Sequence, residues 1–293
     1  MSEFVSQTLS ALLLLSGMAV VLLLMRLMLW YRDQTVRLPI DREKLQRLPG
    51  LGLQNQIQDL LFDILGAFIT AIMVVCMPFA VVGIHQNIVS GSIPWSFLIV
   101  SVIGVTYAAY KMWKSFGKLI KLRLGHAAEL ATANELIGLQ GLGYQVFHDV
   151  QADGFNIDHL VIGANGVFVI ETKGRHKRNK DKKNGGKDHE LTFKDGKLIF
   201  PSWVETKPLE QAVRQVKWVG EWLSKSTGLE VSPMPVLVFP GWYINRDSKP
   251  PFPILNHRQL VKTIPTCRSQ IFSNEQIGQI VFQVGQKCLN QQK

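Results

Sequence analysis

The stretch NIDHLVIGANGVFVIETK, residues 156–173, predicts a tight β-hairpin with charged side chains at its open end. Two mainly apolar runs, residues 156–162 and 167–173, have the length of short strands. Between them lies Asn165-Gly166, a dipeptide that strongly favours a two-residue hairpin turn. The sequence therefore predicts two antiparallel strands that meet at this turn.

The pairing of these strands predicts which charged residues lie together. With the Asn-Gly dipeptide as the turn, Asp158 lies opposite Lys173. Leu160 likewise lies opposite Glu171. Opposed residues, and residues two apart on one strand, point to the same side of a sheet. We therefore expect Asp158, Glu171 and Lys173 to share one face.

Two carboxylates and a lysine at the end of apolar strands have two interpretations. In a metal site, Asp158 and Glu171 would supply hard oxygen ligands for Mg²⁺, with water in the remaining positions. The ion would acidify water and neutralise charge on a phosphate, and Lys173 would orient that water or stabilise the oxyanion. Alternatively, Asp158 and Lys173 form a surface ion pair that contributes little to stability. The hairpin alone leaves both interpretations open.

The composition favours a polyanionic partner. The 293 residues include 32 Lys and Arg against 22 Asp and Glu, a formal net charge of +10. A balance that basic indicates nucleic acid or an anionic lipid surface. The three cysteines are widely spaced and form no C-x-x-C pair, so the sequence indicates neither a zinc site nor a disulfide framework.

Three apolar runs near the N-terminus predict a membrane region. They cover about residues 8–30, 60–83 and 93–110, and each is long enough to be considered as a transmembrane helix. Basic residues occupy the link after the first run and the chain after the third, whereas 85–91 has no Lys or Arg. Because positive loops stay in the cytoplasm, we expect the N-terminus outside and everything after the third run inside. The alternative is a helical hairpin buried in a soluble protein.

The rest of the chain predicts a mixed sheet covered by helices, in an α/β or α+β domain. Besides the central hairpin, a second, smaller hairpin is expected around Asp195-Gly196. The other predicted elements are helices at 126–139, 209–224 and about 274–289, and strands at 144–150 and 236–239.

The residues 156–159 and 166–173, NIDH and GVFVIETK, resemble the nuclease-related domain called NERD. That domain belongs to the PD-(D/E)xK, or restriction-endonuclease-like, superfamily. The resemblance covers about residues 125–240 and includes 125–129 and 208–211. It implies a restriction-endonuclease-like mixed sheet flanked by helices, following the N-terminal transmembrane helices.

The resemblance also implies roles for single residues. Asp158 and Glu171 would bind Mg²⁺ or Mn²⁺, and Lys173 would act on the attacking water. Glu129 would lie near the metal from its helix, as a ligand or through a water. Gln211 would support Lys173 or contact the substrate backbone. Read without the resemblance, Glu129 and Gln211 are ordinary exposed helix residues.

A basic segment follows the hairpin, at residues 173–187. We expect it to be a loop that holds phosphates in a salt-dependent, sequence-independent manner. The alternatives are a solvated run of charges and a contact with anionic lipid. The expected nucleic-acid contacts are Arg175, Lys177, Arg178, Lys180, Lys182 and Lys183.

The sequence thus predicts a membrane region at 1–124, a NERD-like nuclease domain at 125–240 and a partly helical C-terminal extension at 241–293. The leading hypothesis is a metal-dependent nuclease that cuts DNA or RNA at the cytoplasmic face of the inner or plasma membrane. A second hypothesis is a non-catalytic membrane scaffold that binds nucleic acid or a protein. A third, a lipid-surface sensor, depends only on the basic segment.

Overall fold

The computed structural model describes residues 20, 23–32, 34–35, 46–86, 95–179, 181 and 187–290. The chain divides into two compact units. One is drawn from residues 1–41 and 59–119, and the other from residues 42–58 and 120–293. The second unit therefore combines a short N-terminal segment with the whole C-terminal part of the chain.

Two long helices carry the second and third of the predicted apolar runs. Helix α1 spans Leu51–Gln86 and contains the run at 60–83, and helix α2 spans Trp95–Gln140. Within the described ranges, one helix is long and apolar enough to cross a membrane, at Leu51–Cys76 with a mean hydropathy of 2.2. This finding rests on length and composition alone.

The other two predicted spans are described only in part. Of residues 8–30, the structure describes 20 and 23–30, which are helical. Of residues 93–110, it describes 95–110, which form the beginning of α2. The helix predicted at 126–139 is the C-terminal part of this same α2, so no break separates the two elements.

The second unit contains two mixed sheets. Their strands are β1 Gln145–Gln151, β2 Asn156–Gly163, β3 Gly166–Thr172, β4 Glu190–Lys194, β5 Lys197–Phe200, β6 Trp203–Glu205, β7 Met234–Val238, β8 Tyr243–Arg246 and β9 Ile254–Leu255. The larger sheet has five strands in the order β1-β2-β3-β7-β9, in which β1, β2 and β3 are antiparallel and β7 and β9 run parallel to β3. The smaller sheet has the order β6-β5-β4-β8. The small hairpin β4–β5 turns at Asp195-Gly196, as predicted.

Helices cover both faces of the larger sheet. Helix α3, Lys207–Thr227, carries Pro208 in its first turn, where the missing N–H costs nothing. Short turns follow at His257–Gln259, Leu260–Thr263 (α4) and Ile264–Thr266, and helix α5 spans Asn274–Asn290. One apolar cluster joins the sheet to α3 and α5 through Leu160, Ile162, Val169, Val219, Leu223, Ile280 and Val284. The opposite face packs on the end of α2 through Leu136, Leu139, Val161, Phe168 and Ile170.

The turn of the β2–β3 hairpin differs from the predicted one. Gly163 pairs with Gly166, so the two turn residues are Ala164 and Asn165. The Asn165 side chain donates to two carbonyl oxygens of residues 264–267, at 2.7 and 2.8 Å. Gly166, with a φ of 142°, belongs to the strand. Tertiary contacts therefore hold Asn165 in the turn and override the local Asn-Gly preference.

The predicted opposition of Asp158 to Lys173, and of Leu160 to Glu171, is wrong. Leu160 pairs with Val169, and the same register continued to the strand end brings Asp158 level with Glu171. The shift amounts to two residues, and side chains on a strand alternate with a period of two. The predicted common face is therefore preserved although the predicted partners are not.

Candidate active site

The open end of the β2–β3 hairpin brings Asp158 and Glu171 together. The backbone N–H of Thr172 donates to Asp158 Oδ2 at 2.6 Å. Glu171, on β3, is only 2 % exposed. The apolar strands bury this end of the sheet, so Glu171 is largely removed from water, and Asp158 is half-buried.

Lys173 follows β3 directly and points back to Glu171. Its backbone N–H donates to the carbonyl oxygen of Val238 at 2.8 Å, which extends the pairing of β3 with β7. Its Nζ forms an ion pair with Glu171 Oε1 and donates to Gln211 Oε1 at 2.9 Å. The ion pair of Lys173 therefore involves Glu171, which lies on its own strand, and not Asp158 as the surface-pair interpretation assumed.

Helix α3 supplies two glutamines to the same carboxylate. Gln211 Nε2 donates to Glu171 Oε1 at 2.8 Å. One turn later, the fully buried Gln215 donates through Nε2 to Glu171 Oε2, and to the carbonyl oxygen of Asn156 at 3.1 Å. Sequence reasoning did not identify Gln215. The available signal was its spacing of four residues from Gln211, which places both on one helix face.

Glu129, on helix α2, contributes a third carboxyl group to the site. Glu129 is 8 % exposed, and its pKa is raised to about 8 by burial first, then by the charges of Asp149 and Glu171. The pKa of Asp158 is raised well above its ordinary range by burial, Glu171 and Glu129. Glu129, Asp158 and Glu171 thus repel one another in a poorly solvated place, and the charged forms of the first two are disfavoured.

Asp149, on β1, has a structural role. Arg47 Nη2 lies 2.6 Å from Asp149 Oδ2, and Arg47 Nε donates to the backbone oxygen of Asp149 at 3.0 Å. Gly52 N–H donates to Oδ2 at 2.9 Å, and Asn156 Nδ2 to Oδ1 at 2.8 Å. By sequence, Arg47 is one of the basic residues of the link after the first apolar run, and the structure buries it as a partner of Asp149.

Two cavities adjoin the carboxyl cluster. The smaller, of about 400 Å³, and the larger, of about 740 Å³, share Leu53, Glu129 and Asp158 in their linings. Glu171 and Lys173 line the larger one. A chain-like ligand could therefore extend across the carboxyl groups from one cavity into the other.

The described part of the basic segment is fixed to the small sheet. Arg175 forms two bonds with Glu205, at 2.9 and 2.7 Å, beside the larger cavity. Arg178 lies over the ring of Trp203 at 4.5 Å, and Lys177 lies 5.8 Å from the ring of Trp242. Of the predicted contacts, Lys180, Lys182 and Lys183 lie outside the described residues.

The raised pKa of Glu129 predicts a pH-dependent stability. Because the folded state holds this proton up to a pH of about 8, compared with 4.5 for the ordinary group, the free energy of unfolding should fall as pH rises through this interval. A tenfold difference in proton affinity between the folded and unfolded states corresponds to about 1.4 kcal/mol. We expect urea unfolding in EDTA to show lower stability at pH 8 than at pH 5.5, and Glu129→Gln to reduce that difference. Equal pH dependence in both proteins would contradict the assignment.

Comparison with known families identifies the central part of the chain. Residues 124–240 match the family model described as the nuclease-related domain, NERD. No curated protein and no solved structure gives a match. The matched range contains Glu129, Asp158, Glu171, Lys173 and Gln211. The resemblance found in the residues is confirmed to this extent, and the chain contains a nuclease-related domain at residues 124–240.

Proposed function

We propose that this protein is a membrane-anchored, metal-dependent nuclease that hydrolyses phosphodiester bonds of DNA or RNA at the cytoplasmic face. The observation that carries the proposal is the set of contacts around Glu171. Lys173 and Gln211 both contact its carboxylate, and the strand register places Glu171 opposite Asp158. The nuclease-related family supports the same chemistry. In sequence order, these residues follow the pattern of the PD-(D/E)xK superfamily.

The donor atoms suit Mg²⁺ or Mn²⁺. Among the described residues, no three His, Cys, Asp or Glu side chains are already spaced around one point as a metal would require. The fit rests instead on chemistry, because Asp158 and Glu129 have raised pKa values from burial and mutual repulsion. A divalent cation would relieve this repulsion, and carboxylate oxygens are the ligands it prefers. Asp158 and Glu171 would hold the ion, with Glu129 nearby.

The side chains of the site have separate tasks in this proposal. A bound ion would neutralise negative charge that builds on the scissile phosphate. Gln211 holds the Lys173 ammonium through its Oε1 atom, so that Nζ stays at the mouth of the larger cavity. From there Lys173 can orient the attacking water or stabilise the developing oxyanion. Gln215 fixes the second oxygen of Glu171 and so positions the carboxylate.

Cleavage by the full chain in detergent tests the proposal directly. Labelled single-stranded and duplex DNA and RNA would be incubated with Mg²⁺, Mn²⁺ or EDTA. We expect cleavage with a divalent ion and none with EDTA. If no substrate is cut with either metal while nucleic acid still binds, the protein is a non-catalytic scaffold and the nuclease proposal fails.

Metal binding gives a second prediction. Asp158→Asn and Glu171→Gln should each weaken Mn²⁺ binding without unfolding the second unit, because each removes one charged ligand. Calorimetric titration of the wild type and both variants would measure this effect. Lys207→Gln, on the exposed first turn of α3, is the matched control because it changes one charge outside the site. Unchanged Mn²⁺ affinity in both site variants would leave only a structural ion pair.

Anchoring in the inner or plasma membrane rests on the apolar helices and on the distribution of charge. Residues 59–76 of the candidate span at Leu51–Cys76 belong to the first unit and are mostly exposed, as expected of a surface that faces lipid. After residue 110, five basic residues occur within 13 positions, whereas 85–91 has none. By the positive-inside rule, we expect the nuclease-related domain in the cytoplasm and the N-terminus outside.

The proposed orientation predicts the behaviour of a topology reporter. A reporter that is active only outside the cytoplasm should be silent when fused after Lys293. The same reporter inserted in the link 85–91 should be active, because this link connects the second and third predicted spans. The opposite pair of results would reject the orientation.

A further inference from the structure

The segment 46–58 belongs to the site although it precedes the matched family range by many residues. It is part of the same compact unit as residues 120–293. The ion pair of Arg47 with Asp149, together with the bond from Gly52 N–H, holds it there. Both Arg47 and Asp149 are almost completely buried, so this attachment is a built contact and not a surface association.

The backbone of this segment lies directly against the carboxyl cluster. Gly50 has a φ of 70°, and a side chain there would collide with His126 and approach Glu129 Oε2. A side chain at Gly52 would collide with Asn156. Because Gly50 and Gly52 have no side chains, the backbone of the segment can lie close to the carboxyl groups, whereas larger residues at these positions would hold it away from them.

Leu53 is the side chain that this approach brings to the cleft. It lines both cavities, as do Glu129 and Asp158. It packs so closely on Gly125 of α2 that an added Cβ there would lie 3.2 Å from Leu53 Cδ1. Leu53 therefore lies where the two cavities adjoin, beside the carboxyl groups.

The two cavities differ in chemistry in a way that suits a flexible polyanion. The larger contains Lys121, Arg178 and the half-buried ring of Trp203. The smaller contains Gln56 and Phe155, and its charged lining residues are carboxyl groups only. The larger cavity therefore combines positive charge with an aromatic ring, which is the common arrangement for binding single strands, whose bases stack and whose backbone follows the charge.

We propose that residues 50–56 form a third wall of the cleft and that this wall, through Leu53, selects single-stranded nucleic acid. A duplex is stiff and wide, so its phosphates cannot reach past this wall to Glu171 and Glu129, which are 2 % and 8 % exposed. A single strand bends and can pass between the cavities. The inference rests on the proposed function for the identity of the ligand, but it concerns binding and not cleavage.

The test measures binding by the full chain in detergent, with Ca²⁺ in place of Mg²⁺. Fluorescence anisotropy would compare a labelled single-stranded DNA oligonucleotide with its duplex. We expect the single strand to bind about tenfold more tightly, which is the effect of roughly one stacked base. Leu53→Ala should bring the two affinities closer by improving duplex binding. Leu48→Ala is the matched control, because Leu48 lies on the same segment, is 65 % exposed and lines neither cavity.

The wild-type ratio alone can overturn the inference, whether or not the variants fold. Equal affinities of the wild type for single strand and duplex would reject it. It would also be rejected if neither Leu53→Ala nor Leu48→Ala changed the ratio of the two affinities. Parallel cleavage assays in Mg²⁺ separate the two proposals. A single-strand preference without cleavage would reject the nuclease function only, and cleavage of both substrates at equal affinity would reject the wall only.

Discussion

Lys173→Ala is expected to lower the rate of phosphodiester cleavage by about 10²–10³ while nucleic-acid affinity stays nearly unchanged. Lys173 Nζ contacts Glu171 and Gln211 at the centre of the site. It is one of many positive charges in this region, so its loss changes the attraction of the polyanion only slightly. An interaction that acts mainly in the transition state changes the rate and not the binding. Single-turnover cleavage and a binding isotherm on the same variant measure both quantities.

Two further variants sharpen this prediction. Lys217→Ala removes an exposed lysine from α3, the helix that carries Gln211, and should leave the cleavage rate close to that of the wild type. Lys173→Arg should restore activity only in part, because a planar guanidinium cannot take the place of a compact ammonium. If Lys173→Ala cuts as fast as the wild type, Lys173 is not a catalytic residue, even if the protein is a nuclease.

Arg47→Ala should destabilise the second unit by about 3–5 kcal/mol, since it leaves the buried Asp149 carboxylate without its partner. The side chains of Arg47 and Asp149 are 6 % and 5 % exposed, so water cannot replace the lost contact. Equilibrium urea unfolding in detergent, followed by near-ultraviolet circular dichroism, would measure the loss. Arg123→Ala removes an exposed arginine of α2 and should change the stability by less than about 0.5 kcal/mol.

The double variant Arg47→Ala/Asp149→Asn should recover part of the lost stability, because it removes the unpaired charge as well as its partner. A wild-type-like unfolding curve for Arg47→Ala would show that the segment 46–58 is not attached through this pair. It would also remove the structural basis for a third wall of the cleft.

The sequence predicted the composition of the site better than its exact pairing. Strand periodicity predicted Asp158 and Glu171 on one face. A register shift of two residues leaves both on that face, because side chains alternate along a strand with a period of two. The shift itself could not be foreseen, because it depends on contacts between Asn165 and the remote residues 264–267. Local turn preference favoured one register, and tertiary hydrogen bonds stabilise the other.

The residues that were missed are those whose role depends on distant partners. Gln215 looks like any polar helix residue until α3 packs on β3, which turns it toward Glu171. Arg47 belongs to a basic stretch that, by charge alone, indicates a cytoplasmic loop. Only the fold shows that its partner is Asp149. Charge counting records the sign of a residue but not whether its side chain is buried.

The attachment of the segment 46–58 has a consequence for the synthesis of the protein. Arg47 and Asp149 are 102 residues apart in the chain, so the segment leaves the ribosome long before its partner. At about 5–20 residues per second, the delay is on the order of 5–20 s. A contact between such distant residues also forms late because the entropy of closing a large loop opposes it. The cleft is therefore completed only when most of the chain has been made, and a nascent chain that stops before Asp149 lacks both Lys173 and its finished wall.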